Sequence, residues 1–210
     1  MVARAASGAS PPRRVPALTT TLPTATNPAS ASGAKARAAR LSRSLTLDQV
    51  ATETGLSKGH LSRFERGEKT LSIAALVRLS RVLRVSVASL LGERARDGAF
   101  HLVRRSDRAV QEVAAEDGGE YRYAALGRPD QEGGLEAFVV ELAPNASRSG
   151  EAQHGGDEAF LVLSGSVEVN LAAERLVLGT GDYLQFSGGI VHRIRALEEG
   201  SRVFVVVSGA

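Results

Sequence analysis

The sequence has no cysteine and no tryptophan, and its one methionine is Met1. Absent cysteine excludes disulfides, thiolate zinc sites and cysteine nucleophiles together, and it suits a reducing cytoplasm. Long apolar runs are missing too. The longest, such as Val203 to Val207, fall far short of the roughly 18 to 20 residues that span a bilayer, so no segment is expected to cross a membrane. No acidic residue appears before Asp48. That bias also marks organellar transit peptides, but the segment lacks their amphipathic pattern, and the apolar core of a secretory signal is missing as well.

What is present is unevenly charged. The 210 residues carry a net charge of only +3, enough chain for two domains. Residues 1–96 hold sixteen Lys and Arg against five acids, a balance of +11, whereas residues 97–210 hold ten against eighteen, a balance of −8. Such asymmetry points the first half at a polyanion, by default nucleic acid, and gives the second half another task. Within residues 1–33, twenty-two are Ala, Ser, Thr or Pro, and five of the seven prolines lie there. That composition cannot bury a core, so residues 1–33 are expected to form a disordered basic tail.

Helix signals begin after it. Thr46 followed by Gln49 is a capping box, and Leu45 is placed to staple against Val50, so a helix should open at Leu47. Gly55 supplies a left-handed turn at the spacing two crossing helices need, with Ala51 before it and Leu61 after it. Ser57 should cap a second helix running to Arg66, with Leu61 and Phe64 inward and Lys58, His60, Ser62 and Arg63 outward. Ser72 caps a third run through Ile73, Leu76, Leu79 and Leu83, and Ser86 a short fourth from Val87 to Leu91.

The stretch LTLDQVATETGLSKGHLSRFERGEKTLSIAALVRLSRVLRV within residues 35–91 resembles the Xre/Cro-type helix-turn-helix domain of phage and bacterial repressors. The resemblance implies that the helix opened by Ser57 enters the major groove, and that Thr46 touches phosphate. It also places Lys58, Gly59, Ser62 and Arg63 at groove-facing positions. Gly59 brings no side chain, so reading would rest on Lys58 and Arg63, which suit guanine O6 and N7, with Ser62 less selective. Arg40 and Arg43 are expected to contact the phosphate backbone, and Glu65 to pair with one of them.

From Phe100 onward short alternating segments separated by glycine predict an all-β domain, with strands near Tyr121–Leu126, Leu135–Leu142, Ala159–Leu163, Val167–Leu171, Tyr183–Phe186 and Arg202–Val207. Residues 92–99 read as a polar linker between a 34–91 DNA-binding domain and this 100–210 domain. Two motifs resemble those of the cupin β-barrel. Residues 154–165 run His154, Glu158, Gly165 at the spacing of the latter part of HxH(x)3-4E(x)6G, with Ala152 where that pattern has its first histidine. Residues 181–192 run Gly181, Gly189, His192 as in G(x)5PxG(x)2H, with Ser187 in place of the proline.

By that resemblance His154, Glu158 and His192 point into one barrel mouth. A set of two histidines and one carboxylate leaves open coordination positions, which suits Fe(II) and tolerates Zn, Mn or Ni. The alternative is a metal-free pocket holding an organic effector, with both histidines hydrogen-bonded. His60 and His101 have no such spacing and read as surface or packing residues. The fold expected is thus a multidomain α plus all-β chain, a repressor-like helical bundle followed by a cupin barrel. The function expected is a one-component transcriptional regulator and not an enzyme. It would be a bacterial cytoplasmic, nucleoid-associated protein that binds an operator in double-stranded DNA as a homodimer and senses a small molecule. The same domain order also resembles an iron-dependent cupin epoxidase of hydroxypropylphosphonate, so an oxygenase whose helix-turn-helix domain does not bind DNA is the alternative.

Overall fold

The computed structural model describes residues 29–93, 100–113, 120–129, 134–143 and 151–208. Helices come first: α1 (Ala29–Ser42), α2 (Leu47–Thr54), α3 (Lys58–Glu65), α4 (Ile73–Leu83) and α5 (Val87–Leu91). Each of α2 to α5 starts where its capping residue directs. Thr46 and Gln49 form the reciprocal capping box, and the hydroxyls of Ser57, Ser72 and Ser86 accept from His60 N, Ala75 N and Ser89 N. Gly55 closes α2 in the left-handed region at φ 69°, a conformation that costs glycine least.

Helix α1 corrects the expected extent of the tail. Among the described residues, α1 starts at Ala29, inside the 1–33 segment; residues 1–28 of that expectation lie outside the described residues. The reason is tertiary. The inward face of α1 is Ser32, Gly33, Ala36 and Arg40, all buried, and a Cβ on Gly33 would overlap the Phe64 carbonyl oxygen. Small side chains let α1 press against α3, so packing and not an apolar stripe holds it.

Among the described residues, nine antiparallel strands follow a 3-10 turn at Arg105–Asp107: β1 (Val110–Val113), β2 (Tyr121–Ala125), β3 (Glu136–Leu142), β4 (Asp157–Ser164), β5 (Ser166–Leu171), β6 (Glu174–Gly179), β7 (Tyr183–Ser187), β8 (His192–Ala196) and β9 (Arg202–Val207). They form a six-stranded sheet, β1-β2-β3-β9-β4-β7, and a three-stranded sheet, β6-β5-β8. Alternation is kept on β4, whose Glu158, Phe160 and Val162 face inward against Val203, Val205 and Val207 of β9. Strands β1, β6 and β8 are additions to those expected from sequence. β6 carries little buried surface, and β8 is interrupted by Arg193 and Arg195, so neither shows a clean apolar alternation.

The helical and β parts share one core. Leu71, Leu76, Val87 and Leu90 belong to the same buried cluster as Tyr123, Phe138, Phe160 and Val205. Polar bonds cross the same boundary: Thr70 Oγ1 donates to Glu112 O, Ile73 N to Tyr121 OH, and Val87 N to Glu136 Oε1, at 2.7, 3.0 and 3.0 Å. Of the expected linker 92–99, residues 94–99 lie outside the described residues.

Candidate functional site

Two sites are built on this frame, one on α3 and one between the sheets. On α3, Leu61, Phe64 and Glu65 turn inward, and Lys58, Gly59 and Arg63 are exposed on the opposite side. Open space surrounds Gly59, where an added Cβ would meet nothing within 4 Å. Ser57 and Thr46, the caps of α3 and α2, are exposed, leaving the first-turn amides of both helices near the surface. Lys58 Nζ pairs with Asp48 at 2.8 Å in an exposed contact, and Ser62 Oγ accepts from Arg66 at 2.5 Å. Such solvent-exposed pairs contribute little to stability and can exchange for phosphate or base partners.

Arg40, expected at the phosphate backbone, is not among the exposed cations. Its Nε and Nη2 donate to the two carboxylate oxygens of Glu65 at 2.7 and 2.8 Å, and Nη1 donates to Leu45 O at 2.9 Å. The two side chains are only 9% and 6% exposed. The pair is bidentate and buried, and with Leu45 O it takes three of the five N–H donors of the guanidinium. The expected pairing of Glu65 is therefore present, with Arg40 as its partner. Arg43 is half-buried, with Nη2 donating to Arg84 O at 3.1 Å.

The second site lies where the two sheets face each other. Glu158 sits on the inward face of β4, His192 opens β8, and His154 lies in the loop entering β4. All three are buried, at 5%, 3% and 5% exposure respectively. His154 Nε2 and His192 Nε2 stand 3.0 and 2.9 Å from the same oxygen, Glu158 Oε2. Each ring is fixed from behind: His154 Nδ1 lies 3.0 Å from Gly155 O, and His192 Nδ1 lies 2.8 Å from Ile190 O. Phe186 packs on His192 with ring centroids 4.9 Å apart. Close backbone approach completes the mouth, since a Cβ on Gly188 would collide with the His154 ring.

The donor set fits a cation. A backbone carbonyl only accepts, so each Nδ1 must carry its proton and each neutral imidazole then turns a bare Nε2 lone pair toward the carboxylate. Two lone pairs facing one anionic oxygen need positive charge between them, supplied by a proton or by a divalent metal ion. Burial pushes Glu158 up, but the hydrogen bonds of His154 and His192 outweigh it and hold the carboxyl below its usual range. For His192 burial pushes down, and the Glu158 carboxylate outweighs it and raises the imidazole. The ligand atoms of the three residues all lie within 4.8 Å of one another, so this triad could hold a metal. Ala152, paired across from His192 by two backbone hydrogen bonds of 2.8 and 3.0 Å, adds only a methyl group.

Around the triad is a cavity of about 790 Å³ counted out to its open mouth. Its walls are mainly apolar, with Val140, Leu142, Phe160, Ile194 and Val205. Ser72, Ile73 and Ala74 of the helical part also line it, and no sequence signal announced their presence. His60 and His101 are half-buried and stand outside this cavity.

Residues 37–90 match the family model described as helix-turn-helix, and residues 138–208 match the cupin domain. The chain thus carries a helix-turn-helix segment at 37–90 and a cupin segment at 138–208. No curated protein matches it. Among solved structures it is similar to an HTH_3 family transcriptional regulator from Vibrio cholerae, 23% identical with a TM-score of 0.65, over 88% of this chain and 99% of that one. It is also similar to hydroxypropylphosphonic acid epoxidase from S. wedmorenis, 23% identical with a TM-score of 0.45, over 87% of this chain and all of that one. The likeness to the regulator, at 23% identity, concerns fold alone. Among the described residues, no helix is long and apolar enough to cross a membrane.

Proposed function

We propose that this helix-turn-helix and cupin chain is a sequence-specific DNA-binding transcriptional regulator whose cupin domain responds to a ligand. The observation that carries the reading is the outer face of α3, with Lys58, Gly59 and Arg63 exposed and Ser62 half-buried, standing on a Ser57-capped helix start within a segment of +11 net charge. Arg63 and Lys58 read base edges, Thr46 and Ser57 bring helix N-termini to phosphates, and Arg43 adds charge. A homodimer would place two α3 helices on half-sites about 34–36 Å apart. Selection of DNA fragments bound by the purified full chain tests this. Enrichment of a short inverted repeat, with affinity falling steeply as salt rises, is the expected result. No enrichment over random fragments overturns it.

A second reading is favoured by one observation, the buried triad of two histidines and one carboxylate. A metal ion held by His154, His192 and Glu158 would supply open coordination positions to a substrate or effector. The chain's own residues would fix both imidazoles through Gly155 O and Ile190 O, exclude water with Phe160 and Val205, and present an apolar wall. An iron-dependent oxygenase would consume oxygen in proportion to a substrate; a sensor would not. Iron content and oxygen uptake, measured on the same preparation used for DNA selection, separate the two.

A further inference from the structure

Arg78, midway along α4, donates in two directions at once. Its Nε bonds Thr54 O and its Nη1 bonds Gln153 O, both at 2.8 Å. Thr54 is the last residue of α2, immediately before the Gly55 turn that sets α3 against α2. Gln153 immediately precedes His154. Less than one turn further along α4, Arg81 Nη2 reaches Gly155 O, on the other side of His154, at 3.0 Å, and Ser208 O at 3.1 Å. The first turn of the same helix lines the cavity, and Ile73 N donates to Tyr121 OH at 3.0 Å. One helix therefore touches the cavity wall, both flanks of a triad histidine and the turn of the helix-turn-helix.

A guanidinium is planar, with its donors in a fixed fork. The two carbonyls bonded by Arg78 thus cannot move apart independently: a shift of Gln153 to Gly155 either breaks a bond or is passed to Thr54. Ligation of His154 draws on this segment, because the ring is anchored to its own loop through Gly155 O.

We propose that Arg78 couples the occupancy of the His154, Glu158 and His192 site to the geometry of the α2–α3 turn, so that a divalent metal ion held there changes operator affinity. The proposal rests on the DNA-binding reading above and on the metal fit of the triad. The probe is Zn²⁺ alone, one equivalent per full-length chain. Two readouts are taken with and without it: operator affinity, and hydrogen exchange of the amides of residues 54–57.

In the wild type, Zn²⁺ should change the operator Kd by about fivefold or more, a usual size for coupling between sites, and should alter exchange at 54–57. Arg78→Met should abolish both responses while retaining one Zn²⁺ per chain. Arg78→Lys, which replaces the planar fork by a single rotatable ammonium, should weaken both responses and serves where the methionine variant fails to fold. Arg81→Met, which loosens the loop without touching α2, should leave a reduced response.

The wild-type Zn²⁺ response persisting in both Arg78 variants would overturn the coupling, as would a wild type that binds Zn²⁺ and operator with neither readout changing. A wild type that selects no DNA refutes the regulator reading, and the exchange measurement still decides the coupling. A chain that takes up no Zn²⁺ overturns the coupling and the metal fit together and leaves DNA binding standing.

Discussion

Removing Arg40 should damage the fold and spare DNA recognition. The guanidinium donates to both Glu65 carboxylate oxygens, at 2.7 and 2.8 Å, and it also ties Leu45 O to α1. Arg40→Ala leaves the Glu65 carboxylate, 6% exposed, without its guanidinium partner. Breaking one side of a buried pair costs about 3–5 kcal/mol, and the residual water access of this pair argues for the lower end, about 3 kcal/mol. For a chain of this size that is a fall of about 6–12 °C in melting temperature. Arg40→Met with Glu65→Leu removes both charges and should recover most of the loss, since similar-sized apolar replacements of buried pairs are often neutral. Urea unfolding of the three proteins gives the energies, and a salt titration of operator binding gives the number of phosphate contacts. An Arg40→Ala protein with unchanged melting temperature and a salt slope smaller by about one contact would refute the buried role and return Arg40 to the DNA.

Arg63→Ala should cost about 1–3 kcal/mol at the selected operator and relax preference at one base pair per half-site, read by binding to single-substituted operators; undiminished preference at every position counts against major-groove docking of α3. Gly188→Ala should push the His154 ring aside, because the new Cβ has the ring on one side and Gly156 O at 3.1 Å on another; metal content by elemental analysis should fall while Arg63-dependent specificity is kept, and full metal content would refute the placement of that loop. Glu168 is held down to about 2 by Arg195 first, with Asn170 and Arg175 adding to it. A carboxyl depressed in the folded state contributes stability that is whole above its unfolded value of about 4.3 and fades as pH falls toward the folded value. The stability gap between wild type and Glu168→Gln should accordingly be constant above about pH 5 and close as pH drops below the unfolded value, and a gap independent of pH would show that Glu168 acts by packing alone.

Much of the candidate machinery is local in origin and so was legible in the linear sequence. Caps act within three residues, which is why Thr46, Ser57, Ser72 and Ser86 fixed the starts of α2 to α5 without any tertiary knowledge. Strand period and glycine spacing likewise located most of the β segments, and the resemblance to the cupin motifs marked His154, Glu158 and His192, which the fold then brings to one oxygen. Tertiary structure alone decided three matters. Helix α1 was invisible because its buried face is Ser32, Gly33, Ala36 and Arg40, a small-residue face with no apolar period. The choice between Arg40 and Arg43 as partner of Glu65 needed the helix crossing, since both are plausible cations three residues apart. The packing of α4 on the cupin depends on contacts more than 70 residues apart, such as Arg78 with Gln153. Periodicity reports which face of an element is apolar, and a guanidinium bonded to two distant carbonyls leaves no trace in it.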